Sequence, residues 1–136
     1  MNTSIENVAK FLASAIMADG NYDKAEKIAL EEIADVMKFN AEELIANVET
    51  EVKCIKGLNE KKLKETLCVA STEVAENENV IIFESLLELV LVDGILTTTE
   101  VETLLEAADL LAIPQAEAVL MLADMVKEEP EMKINL

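Results

Sequence analysis

The chain has no histidine, no arginine and no tryptophan in 136 residues. Without histidine, the side chain most often used as a general base near neutral pH is missing, and no Ser–His or Cys–His nucleophile can be assembled. Glycine occurs only at Gly20, Gly57 and Gly94, which rules out a glycine-rich phosphate loop. A hydrolase built on surface carboxylates would need one of them held protonated in a pocket, and acids in such excess mark none. The chain is therefore expected not to be an enzyme. Cys54 and Cys68 have no metal-site spacing, so they read as small core or partly buried thiols in a reducing compartment. The most apolar segment, Val80 to Val92, is too short to span a bilayer and contains Glu84 and Glu88. The first residues have neither a basic start nor a long apolar stretch. A cytoplasmic protein without membrane insertion is expected.

What is present is helical pattern. Apolar residues make up 51% of the chain, and with two prolines and three glycines there is little to build a turn-rich β fold. Apolar residues recur at helical spacing almost throughout. The first stripe is Ile5, Val8, Leu12, Ala15 and Ile16, ending at Asp19-Gly20. The second starts at Asp23 and shows Ala29, Ile33, Val36 and Met37. Asn40 with Glu43 reads as a capping box opening a third helix, which stops at Gly57 in a Schellman-type end with Leu58 as its apolar contact. Asn59 caps a fourth, with Leu63, Leu67, Ala70 and Val74. The fifth, from about Val80 to Val92, is apolar on nearly every side and belongs at the centre. The sixth begins at Thr98. Pro114 opens the seventh, with Ala118, Val119, Leu122 and Val126 as its stripe. The expectation is an all-α domain of seven helices over residues 1–127, with a frayed tail over 128–136.

The charge is lopsided. Residues 1–64 hold 12 acids and 9 lysines, a net of −3, whereas residues 65–136 hold 16 acids and 2 lysines, a net of −14. Such a surface keeps a protein soluble and suits a partner with a basic surface. It does not suit nucleic acid, whose phosphates need a basic stripe. The only lysine-rich stretch, Lys53 to Lys64, is short and interrupted. The six methionines fill core gaps or, where exposed, leave a homo-oligomer open.

Sliding the sequence by 74 residues aligns two halves, about 5–45 and 79–119. Ala18-Asp19-Gly20 falls on Val92-Asp93-Gly94, Asp23 on Thr97 and Glu26 on Glu100, and the match continues through Ala34/Ala108 and Asp35/Asp109. A pseudo-twofold pair of helical halves is the expected arrangement. These features resemble the tellurite-resistance TerB family. Ala18-Asp19-Gly20 followed by Asp23 and Glu26 carries the resemblance, as does Val92-Asp93-Gly94 followed by Glu100, and it spans residues 5 to 126. It implies a seven-helix bundle, a link to bacterial stress response or tellurite resistance, and no established enzymatic activity.

The same turns have the back half of a calcium-binding EF-hand loop: Asp19, Gly20, Tyr22, Asp23 and Glu26, then Asp93, Gly94, Leu96, Thr97 and Glu100. The front half fails, because Ala15 and Met17, or Leu89 and Leu91, stand where ligands belong. Calcium takes 6–8 oxygens and each half-loop offers about four. Asp23 with Glu26, and Thr97 with Glu100, are also capping boxes, each worth about 1 kcal/mol. Capping thus accounts for most of these acids without a cofactor. If a divalent cation binds, Asp19, Asp23 and Glu26 make the better site, since Thr97 carries no charge.

Overall fold

Most of the helices begin where a side chain can satisfy the first free amides. In the computed structural model, which describes residues 1–20, 22–129 and 131–135, Ser4 Oγ accepts from Asn7 N at 3.2 Å and opens α1 (Ile5–Asp19). Asp23 opens α2 (Lys24–Met37), Asn40 opens α3 (Ala41–Lys56) and Asn59 opens α4 (Glu60–Thr72). At Asn40 only the forward half of the expected capping box is present, Glu43 N to Asn40 Oδ1 at 2.9 Å. α5 (Asn79–Leu91) starts without a side-chain cap. Thr97 opens α6 (Thr98–Leu110), and α7 (Gln115–Lys127) follows Pro114.

Near the helix ends, left-handed residues repeat at the same 74-residue interval as the sequence. Gly20 and Gly94 have φ of 80° and 77°, in the left-handed region where a side chain is strained. Lys38 and Ala112 have φ of 64° and 59° at the ends of α2 and α6. Each is followed by a bond closing a Schellman-type end, Phe39 N to Ala34 O at 2.9 Å and Ile113 N to Ala108 O at 2.8 Å. A left-handed non-glycine residue costs about 1–2 kcal/mol. Here the turn brings Phe39 and Ile113 back against the core, which offsets that cost. The end expected at Gly57 is different. Its φ is −89°, and Leu58 N closes a tighter turn on Ile55 O at 3.0 Å.

Two helices share the centre. α5 packs against α1, α2, α6 and α7, as its all-round apolar sequence requires. α1 packs against α3, α4, α5 and α6, although its sequence suggests a single stripe. The reason lies in its small residues. Ala9, Ala13 and Ala15 are buried beside Val8, Phe11 and Leu12, so neighbours close in on several sides. Some expected stripe positions turn outward instead: Val36 is 60% exposed and Val119 is 49% exposed. Both cysteines are exposed, contrary to the sequence reading. Each lies one residue from a buried position, Ile55 or Leu67, and that step of about 100° carries it off the buried face.

The tail does not fray throughout. β2 (Lys133–Asn135) pairs in parallel with β1 (Ile95–Thr97), Leu96 opposite Ile134, and Lys133 N donates to Gly94 O at 2.9 Å. The second Asp-Gly turn therefore carries a strand partner from the tail.

The N-terminus is held by Glu78, which precedes α5. Its carboxylate accepts from Asn2 N and Thr3 N, both at 2.8 Å, and from Thr3 Oγ1 at 2.6 Å. Burial works to raise the Glu78 pKa, but the bonds from Asn2 and Thr3 outweigh it and hold the carboxyl below its ordinary value. A carboxyl depressed in the fold stabilises above its unfolded pKa and loses that contribution as pH falls through the folded one. Glu78→Ala is expected to cost about 1–2 kcal/mol by urea unfolding at neutral pH. The difference from the parent should shrink as pH drops below about 4.3.

Candidate functional site

The two Asp-Gly turns place the candidate acids at the entrances of α2 and α6. In the first, Asp23 Oδ1 accepts from Ala25 N at 2.9 Å, and Glu26 returns a bond from Asp23 N at 3.1 Å, completing a capping box. Glu26 is buried, while Asp23 is exposed. A side-chain hydrogen bond with Glu26 holds the Asp23 carboxyl below its ordinary pKa. Beside them the Tyr22 hydroxyl is enclosed. Burial first, then the neighbouring carboxylates of Glu49 and Glu26, push its pKa to about 12. The Lys27 ammonium sits 5.6 Å from the Tyr22 ring centre and 3.9 Å from Glu49. Asp19 ends α1, and its side chain lies outside the described residues.

The second turn is built alike and balanced differently. Asp93 Oδ1 accepts from Ile95 N at 3.0 Å, which shapes the turn. Glu100 Oε1 accepts from Thr97 N at 3.0 Å and from Thr97 Oγ1 at 2.9 Å. Glu100 is only 1% exposed, and its other oxygen, Oε2, is enclosed without a hydrogen-bond partner. Burial raises the Glu100 pKa, the two Thr97 bonds oppose it, and the charge of Asp93 adds to the rise.

The five candidate ligands are thus divided between two turns. Among the described residues, no three or more Asp, Glu, Cys or His side chains come together as a set able to hold a metal ion. Both capping boxes are formed, so Asp23, Glu26, Thr97 and Glu100 have structural work at the starts of α2 and α6.

Sequence reasoning missed a second feature. α2 and α7 both pack on α5, and residues of all three line an open groove of about 400 Å³. Ile33, Val36, Leu87, Met121 and Met125 make its apolar surface, with Glu84, Glu88 and Asp124 among them. Glu88 and Met125 also line an adjoining cleft of about 630 Å³, bordered by Asp93, Glu128, Glu129 and Glu131. Burial, then the hydrogen bond and charge of Glu32, push the Glu88 pKa to about 7. A glutamate inside the most apolar helix was the available signal. Its pairing with Glu32, 56 positions earlier, left none.

Most acids of the second half stand on the surface, including Glu102, Asp109, Glu117 and Asp124. Among the described residues the one ion pair, Lys27 with Glu49, lies in the first half. No helix among them is long and apolar enough to cross a membrane.

Searches of curated proteins and of solved structures give no match. The family model for the tellurite resistance protein TerB matches residues 6–123, which include all seven helix starts but the first, and both Asp-Gly turns. With a helical fold that adds only one short strand pair, and a family match over most of its length, this chain belongs to the TerB family.

Proposed function

We propose that the chain is a non-enzymatic interaction protein whose acidic second half engages a partner with a basic surface, in the setting of bacterial stress response or tellurite resistance. The observation that carries this reading is the charge: a net of −14 over residues 65–136, mostly exposed, with no ion pair there among the described residues. Such a surface attracts basic proteins over a Debye length of about 10 Å at 0.1 M salt, and salt weakens the attraction. The test is capture of partners from lysate at low and high salt. Partners with basic surfaces should be retained at low salt and lost at high salt. A partner set indifferent to salt would count against the reading.

A second reading, weak binding of a divalent cation at the Asp-Gly turns, is favoured by one observation: Glu100 Oε2 is buried, unpartnered and near Asp93. A cation would supply what that oxygen lacks. Against it, a raised pKa lets Glu100 hold a proton there instead. Calcium titration followed by amide NMR should move the amides of Asp93 to Glu100 and of Asp19 to Glu26 first. Unmoved spectra at roughly millimolar calcium, the weak end of known sites, would dismiss this reading.

A further inference from the structure

The groove between α2, α5 and α7 joins three properties. It is apolar, with Ile33 and Leu87 as buried backing and Val36 presented to solvent. It holds Met121 and Met125, whose unbranched side chains adapt to different partners. Its charged residues are all acids: Glu84, Glu88 and Asp124, with Glu32 beside Glu88. The exposure of Val36 and Glu84 makes it an open trough, suited to a side-chain stripe more than to an enclosed small molecule.

Resting on the interaction-protein reading above, we propose that this groove docks a cationic amphipathic helix of a partner protein. Its apolar face lies on Val36, Met121 and Met125, and a lysine or arginine reaches Glu32 and Glu88. The apolar stripe of such a helix matches the trough, and its flanking bases match the acids. An anionic lipid surface is repelled by the same acids. A second copy of a chain with a net charge of −17 is disfavoured by its own repulsion.

Proton linkage follows from the pairing. The groups facing Glu88 are Glu32 from α2, Glu84 from its own helix and Asp124 from α7. From the adjoining cleft come Asp93, Glu128, Glu129, Glu131 and Lys133. Burial and Glu32 keep Glu88 half protonated near neutrality, at a pKa of about 7. A cation placed between the two carboxylates favours their ionised forms, so docking expels a proton. Affinity should rise with pH through this range, by about tenfold for one proton between roughly pH 6 and pH 8.

The experiment titrates the isotope-labelled full chain with a synthetic leucine–lysine peptide that forms an amphipathic helix. A scrambled peptide of the same composition is the control. The expected result is a set of NMR shifts centred on Val36, Ser85, Met121 and Met125, with the scrambled peptide at least about tenfold weaker. Val36→Lys, at a position exposed enough to leave the fold intact, should weaken the helical peptide by about tenfold or more. Glu88→Gln should abolish the pH dependence. Equal binding of both peptides, with shifts outside the groove, overturns the groove and leaves the electrostatic reading standing. Binding of neither at low salt overturns both. A concentration-dependent dimer that shifts the same groove residues gives the site to a second copy and overturns the proposal.

Discussion

Phe11→Ala is expected to destabilise the protein by about 3–5 kcal/mol, the range for removing a fully buried phenylalanine. Phe11 is wholly buried on α1, the helix that packs against α3, α4, α5 and α6 at once. On its own helix Val8 and Ala15 share its face, three positions before and four after; both are buried, and neither is long enough to fill the space of a phenyl ring. Domains of this size have a total stability of about 5–15 kcal/mol, so the loss approaches the lower bound. Urea unfolding by circular dichroism should show a much lower midpoint with an unchanged slope. An exposed control, Val69→Ala, removes side-chain volume at a 67% exposed site and should change stability by less than about 0.5 kcal/mol. A small effect at Phe11 would mean that α1 is not the centre of packing.

Thr97→Ala should cost about 2–3 kcal/mol, more than the roughly 1 kcal/mol of an ordinary cap. The substitution removes a hydroxyl that accepts from Glu100 N at 3.3 Å and donates to Glu100 Oε1 at 2.9 Å. It also leaves a carboxyl that is 1% exposed with only the Thr97 amide as donor. Because the folded pKa of Glu100 is raised, its ionised form costs stability as pH climbs through the unfolded value toward the folded one. The penalty of Thr97→Ala should therefore be largest at neutral pH and smaller in acid, where Glu100 is protonated in both states. Glu100→Gln keeps an acceptor for the Thr97 amide and removes the charge. It should rescue much of the loss in the double variant. Equal penalties at both pH values, with no rescue, would show that the cap alone matters.

The sequence revealed the helices because their starts are written in single side chains. Asp23, Asn40 and Asn59 each precede an apolar stripe, and each caps its helix. Both Asp-Gly turns were legible because glycine permits the positive φ found at Gly20 and Gly94. The matching helix ends at Lys38 and Ala112 were not, since neither residue is a usual left-handed one. Only the apolar Phe39 and Ile113 after them hinted at the turn. Parallel pairing of Lys133–Asn135 with Ile95–Thr97 joins segments far apart in sequence, and three-residue strands have no periodicity to read. Helical spacing marked Val36 and Val119 as apolar stripe members. It could not show that α2 and α7 leave an open trough above α5, because that depends on how far apart two helices stand, not on either sequence alone. The candidate acids were found in sequence. That Glu100 would be sealed with one oxygen unpartnered followed from packing.

The Asp-Gly turns and the acidic surface make different demands on a partner, and salt separates them most directly. The decisive measurement is the association rate of the basic partner captured at low salt, followed from about 0.01 M to about 1 M. Over that range the Debye length falls from about 30 Å to about 3 Å. An acidic interaction surface predicts a steep fall in the association rate, by about tenfold or more, with a smaller change in dissociation. A rate that stays level across the series would contradict the account and return attention to the two turns.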